Sequence, residues 1–189
     1  MLNIPIDLTF PHHYELELLS APGVKRPVRI PPAPEDVESV LVRIKPEGGE
    51  SWVGAFAKGF VANDLVSGVY AWPDGRSIGV VSAGYGYVVR ADDAKSWVRL
   101  QPMPITDVRV LPEHGAIVLT DFTHMFAYNA EKSLWKTERL SWDGVSVTQV
   151  ATNHIFGLAW DAMQDKEVDF VIDVRTGEHT GGARPWAKR

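Results

Sequence analysis

The sequence predicts an all-β protein built from four repeated antiparallel β-sheet units of about 40 residues each. Three observations carry that prediction. Apolar residues come in short runs rich in β-branched and aromatic types, bounded by Gly, Pro, Asp and Asn. No window holds an apolar stripe of period 3.6, so long amphipathic helices are not expected. A strand followed by Pro, an acidic residue and Gly recurs as VRIKPEGG at 42–49, VYAWPDG at 69–75 and VRVLPEHG at 108–115. That is turn chemistry: Pro presets φ at the corner, and Gly supplies the positive φ that exits it.

Residues 1–36 read as a proline-rich segment packing on the body, with Pro5, Pro11, Pro22, Pro27, Pro31, Pro32 and Pro34 excluding a continuous helix. Within it, Tyr14 to Leu19 alternates as a strand, and Val24 to Ile30 reads as an edge strand because it contains a proline. Residues 37–185 read as one all-β domain. Its first unit is short, with strands at 42–49 and Trp52 to Phe56 and a third run, GFVAND, at 59–64. The second unit places strands near Val69, at Ile78 to Ser82, at 86–92 and at 96–100. The third does so at 108–111, Ile117 to Phe122, 125–130 and 134–140. The last has Val147 to Val150, Phe156 to Trp160 and Val168 to Val174, with no Trp marking a fourth strand. Equivalent residues fall 38 to 40 positions apart: Val69 and Val108, Trp97 and Trp135, Asp121 and Asp161.

Four-strand units of this length with such turns resemble β-propeller blades. Asp92, Ser96 and Trp97 in RADDAKSW resemble a degenerate Asp-box of sialidase-type and related propellers, with Arg90 where that motif has Ser or Thr and Ala94 where it has Gly. VIDVRTGE at 171–178 is similar to the Asp-x-x-Thr-Gly turn of quinoprotein-type blades. The resemblance covers about residues 40–180 and implies a propeller-like array that is incomplete or open. Three arrangements stay open: the segment around 14–30 completes the first unit, the units form an open stack, or two chains pair their sheet edges.

Nineteen Lys and Arg against 24 Asp and Glu give a net charge of −5, which lacks the footprint of nucleic-acid binding. Zero cysteines exclude disulfides, thiolate nucleophiles and Cys-based zinc sites, and fit a reducing, cytoplasmic location. The N-terminus lacks the charged and apolar regions of a signal peptide, and no run approaches the roughly 20 apolar residues of a membrane span. No cofactor motif is present and no cofactor is expected.

Asp121 and His124 in TDFTHMF are the candidates for acid/base catalysis, an Asp beside a His being a recognised arrangement. The preferred reading is a turn in which Asp121 bonds local backbone. Asp169 and Asp173 share one side of a predicted strand and are the candidates for a cation, against a solvated outer face. His12 and His13 are adjacent and would point to opposite faces. Trp72, Tyr85, Tyr87 and Trp142 are the candidates for a partner surface: the two tyrosines sit in GYGY beside glycines, and the two tryptophans beside turns. Trp52, Trp97, Trp135 and Trp160 sit at strand places and read as packing.

With no G-x-S-x-G, H-E-x-x-H or P-loop signature, the functional expectation is a nonenzymatic protein-binding module. One concrete form is an inhibitor or immunity-type protein whose acidic charge speeds encounter with a basic toxin or enzyme. The alternatives are a carbohydrate hydrolase or lyase using the Asp and His candidates, and a self-assembling protomer or homodimer joined through open edges.

Overall fold

The computed structural model describes residues 4–20, 26–60 and 65–183, and over them the protein is all-β, with four separate sheets of four or five strands and one 3-10 turn at Pro112–His114. No helix among the described residues is long and apolar enough to cross a membrane. The chain divides into two compact units, 1–104 and 105–189, each holding two sheets.

The N-terminal unit contains β1 (Ile6–Asp7), β2 (Tyr14–Leu19), β3 (Val28–Ile30), β4 (Ser39–Pro46), β5 (Trp52–Ala57), β6 (Gly68–Ala71), β7 (Ser77–Ser82), β8 (Tyr85–Arg90) and β9 (Asp93–Arg99). One sheet has the order β2-β4-β5-β3 and the other β1-β6-β7-β8-β9. The proline-rich segment therefore supplies strands to both sheets. β2 lies antiparallel on β4, while β3 and β1 join as parallel edges on β5 and β6. Of the three arrangements left open, the first describes this sheet: β2 and β3, from the segment around 14–30, complete β4 and β5. The run expected as a third strand at 59–64 lies partly outside the described residues. Gly59 and Phe60 instead donate their amides to the carbonyls of Ser82 and Ala83 at 3.0 and 3.1 Å.

The C-terminal unit contains β10 (Asp107–Leu111), β11 (Ala116–Thr120), β12 (Met125–Tyr128), β13 (Ser133–Lys136), β14 (Val145–Val150), β15 (His154–Asp161), β16 (Lys166–Asp173) and β17 (His179–Gly181). It forms two antiparallel meanders, β10 to β13 and β14 to β17, in sequence order. The fourth strand without a Trp is β17.

The three Pro-acidic-Gly corners fold as their chemistry requires, with Gly48, Gly75 and Gly115 at φ +71°, +71° and +57°. The Asp74 carboxylate closes its turn by accepting the amides of Arg76 and Ser77 at 2.8 and 2.7 Å. Asp92 stands in the β8–β9 turn. Arg90, the departure from the Asp-box pattern, takes its carboxylate in two hydrogen bonds of 2.9 and 2.8 Å.

Strand alternation sets the cores. On β4, Val40, Val42 and Ile44 are buried, while Arg43 and Lys45 face out and pair with Glu17 and Glu15 on β2. These inward residues meet Val69, Ile78, Val80, Tyr87 and Val89 of the second sheet. In the C-terminal unit, Val118, Met125, Ala127 and Trp135 meet Ile155, Ala159, Phe170 and Ile172. Each large apolar side chain buried this way is worth about 1.5–3 kcal/mol. A tryptophan ties the two sheets of each unit. Trp52 Nε1 donates to the Ala91 carbonyl and Trp135 Nε1 to that of Val174, both at 2.8 Å and both 39 residues along the chain.

The β7–β8 hairpin turns through Ala83 at φ +46° and Gly84 at φ +81°. Two consecutive positive φ values are a type I′ turn, and Ala83 holds one of them against the steric cost of its Cβ. Ala83→Gly is therefore expected to stabilise the N-terminal unit by about 1 kcal/mol, read as a higher midpoint in urea at unchanged slope.

Candidate functional site

Three residues singled out by sequence, Asp121, His124 and Trp142, come together at one end of the β10–β13 sheet. The turn joining β11 to β12 is built on Asp121, whose Oδ1 accepts the amides of Thr123 and His124, each at 2.7 Å. The Thr123 hydroxyl donates to the same oxygen at 3.1 Å and lies 2.7 Å from His124 Nδ1. The hydroxyl thus stands between the carboxylate and the imidazole, with one proton and an oxygen that can also accept. The carboxylate and imidazole are 3.8 Å apart and contact each other through Thr123.

His124 is held below its ordinary pKa, first by burial, then by repulsion from Lys136 and Arg139, against the attraction of Asp121. Register places Lys136 opposite Phe126, and its Nζ stands 5.1 Å from the centre of the Phe126 ring, with the His124 ring centred 6.1 Å from the same ring. Beyond β13, the Arg139 guanidinium donates from Nε to the Ser141 carbonyl and from Nη2 to that of Trp142, both at 2.8 Å. It also lies 5.9 Å from the centre of the Trp142 ring. The amides of Leu140 and Gly144 donate to the carbonyls of Thr123 and Phe122 at 2.8 Å, locking the 137–144 segment against the turn. Thr123, the chain neighbour of His124, was not singled out by sequence, and neither were Lys136 and Arg139, which only strand register and the segment after β13 bring to this end of the sheet.

A second constellation lies in the N-terminal unit, around Tyr85. The Arg99 guanidinium sits 3.8 Å above its ring, Phe60 meets the ring edge-on at 5.2 Å, and Arg99 Nη2 donates to Met103 Sδ at 3.1 Å. Met103 is 52% exposed and Phe60 39%. Tyr85 packs so closely over Gly59 that a Cβ there would meet the ring at 2.5 Å.

Two of the four partner-surface candidates prove to be core. Trp72 is 6% exposed, its ring lying over Gly79, and Tyr87 is fully buried. Tyr87 donates its hydroxyl to the Ala57 carbonyl at 3.0 Å and packs on Phe56 and Trp97. Trp72 sits beside a turn, yet the turn folds its ring back over the glycine of the paired strand. Tyr87 faces the same side as Tyr85 but two residue pairs further from the turn, where the opposing sheet covers it.

Asp169 and Asp173 do share a side of β16, with Asp169 exposed. Asp173 is committed to its turn. Its Oδ1 accepts the amides of Arg175 and Thr176 at 2.8 and 3.0 Å, and those bonds hold its carboxyl below the ordinary range. The Asp-x-x-Thr-Gly motif is thus a closed turn, ending at Gly177 with φ +73° under the Trp135 indole. His12 and His13 have separate partners, the Phe10 carbonyl and the Glu47 carboxylate, each at 3.0 Å. Among the described residues, no group of three or more His, Cys, Asp or Glu could hold a metal ion.

No protein-family model and no curated protein matches this sequence. Solved structures similar to the chain include a eukaryotic initiation factor, 10% identical over 75% of this chain and 40% of that one, with a TM-score of 0.39. Another is an S. cerevisiae assembly of Dbp5 with Nup159, Gle1, IP6 and ADP, matched at 12% identity over 96% of this chain and 55% of that one, with a TM-score of 0.41. The chain thus spans about half the length or less of the structures it matches.

Proposed function

We propose that this protein is a nonenzymatic protein-binding module and that the surface around Tyr85 is its contact patch. The observation that carries this reading is the composition and exposure of that patch: a rigid Tyr ring stacked under an Arg, edged by an exposed Phe and an exposed Met. Aromatic residues, Arg and Met are the types enriched where protein interfaces bury their centres. The ring is already ordered by Arg99, Phe60 and Gly59, so binding would cost little side-chain entropy. The acidic net charge of −5 would speed encounter with a basic partner, the behaviour of an inhibitor or immunity-type protein.

The test is affinity capture from the source cells, followed by a binding curve for the captured protein with wild type, Tyr85→Ala and Met103→Glu. Both substitutions are expected to weaken binding by about tenfold or more, the loss of one interface anchor. Met103 is more than half exposed, so Met103→Glu separates lost contact from lost fold. A partner that binds both variants as tightly as wild type overturns the assignment.

A further inference from the structure

We propose that the open edge of β2 takes an extended basic segment of a partner protein as an added antiparallel strand. This surface is separate from the Tyr85 patch and works through backbone pairing.

The first support is the state of the edge. β2 is the end strand of its sheet, and all six of its residues pair with β4 in one unbroken register, from Tyr14 opposite Pro46 to Leu19 opposite Leu41. The Glu47 amide donates to the His13 carbonyl at 2.9 Å, which fixes the phase of that ladder. Backbone groups alternate in direction along an antiparallel strand, so Glu15, Glu17 and Leu19 turn theirs to β4. Leu16 and Leu18 therefore turn amide and carbonyl to the open side. Natural edges are guarded by shortness, proline, lysine or bulges, and β2, reading YELELL, has none of these. The other sheet edges among the described residues are shorter or broken. β1, β3 and β17 are two or three residues long and β10 is five, while the ladders holding β9, β13 and β14 shift register.

The second support is charge and pattern. Glu15 and Glu17 stand on the outer face, where Lys45 and Arg43 of β4 each bond one carboxylate oxygen. The second oxygen of each carboxylate takes no hydrogen bond from the described residues. These four charges sum to zero, so an incoming cation gains the two second oxygens, with Lys45 and Arg43 two strand spacings away, about 10 Å. On the other face, Leu16 and Leu18 are half-buried against the core of the unit. A strand alternating basic and apolar residues matches both faces, setting Lys or Arg opposite the glutamates and extending the core beside the leucines. A second copy of β2 does not match. In the antiparallel registers that satisfy most backbone groups, Glu15 faces Glu17 or Glu17 faces itself, and like charges directly opposite destabilise a ladder.

The experiment is an NMR titration of the full chain with three blocked peptides. The first, acetyl-KVKVKVK-amide, is expected to shift the Leu16 and Leu18 amides saturably and to slow their exchange with deuterated water. The second, acetyl-KVKPKVK-amide, keeps the charge and lacks one ladder amide, so at least tenfold weaker binding is expected. The third, acetyl-EVEVEVE-amide, is expected not to bind. The double variant Glu15→Gln/Glu17→Gln is expected to weaken the first peptide about tenfold, the loss of two cross-strand charge pairs. Absence of saturable shifts at Leu16 and Leu18 overturns the proposal, and so does equal binding of the proline peptide or of the acidic one. The readout needs no natural partner, so it stands apart from the capture experiment on the Tyr85 patch.

Discussion

Trp135→Ala is expected to destabilise the C-terminal unit by about 3–5 kcal/mol, the usual cost of deleting a buried tryptophan. Two losses add. The indole fills the core shared by the two sheets of that unit, being only 8% exposed, and its Nε1–H satisfies the Val174 carbonyl at 2.8 Å. The ring also lies directly on Gly177, where a Cβ would come within 2.6 Å of it, so the cavity opens against a turn that has no side chain to collapse inward. Trp135→Phe keeps part of the ring volume and leaves the carbonyl without its donor, so a smaller loss is expected. Urea unfolding followed by circular dichroism measures both, and a loss below about 1 kcal/mol for the alanine variant would show that the two sheets hold together without the indole. Acid should weaken the same corner. The Asp173 carboxyl is lowered by the amides it accepts, so its contribution is present above the ordinary carboxylate value of about 3.9 and disappears as pH falls through the lower folded value.

Trp72→Ala is expected to cost the N-terminal unit about 3–5 kcal/mol for the same kind of reason. Its ring is 6% exposed and covers Gly79, a strand glycine that has no side chain of its own to shield the sheet. A partner lost on Trp72→Ala would therefore be lost through unfolding, seen as a lowered melting temperature. Met103→Glu is expected to lose the partner while melting like wild type. Retention of the wild-type melting temperature by Trp72→Ala would sink the view that this ring is structural.

Much of the fold was legible because its signals are local. Period-two alternation marks β2 at 14–19, and the Pro-acidic-Gly corners mark the hairpins after β4, β6 and β10. The spacing of 38 to 40 residues located the later units, since each repeats the same short strands and turns. The edge strand expected within 24–30 is β3, at Val28–Ile30, whereas the parallel edge β1, two residues long, carried no comparable signal and is defined only by the strand it joins.

The candidate sites were legible in residue type and not in exposure. Tyr85 and Tyr87 differ by two positions on one strand, and no local rule separates a ring at the sheet's end from one under the opposing sheet. The neighbours of His124 were hidden for a related reason. Lys136 comes to the Phe126 ring beside it through the β12–β13 register, and the segment of Arg139 comes to the turn through the Leu140 amide on the Thr123 carbonyl.

By itself the sequence determined the all-β class, the turn positions and the number of sheets, because strand alternation and turn stereochemistry act over a few residues. Tertiary structure alone decided that Trp72 and Tyr87 are core while Tyr85 stays at the sheet's end, and that the proline-rich segment supplies strands to two sheets. Those outcomes depend on which faces cover one another, and burial is a property of the packed sheets and not of any one strand.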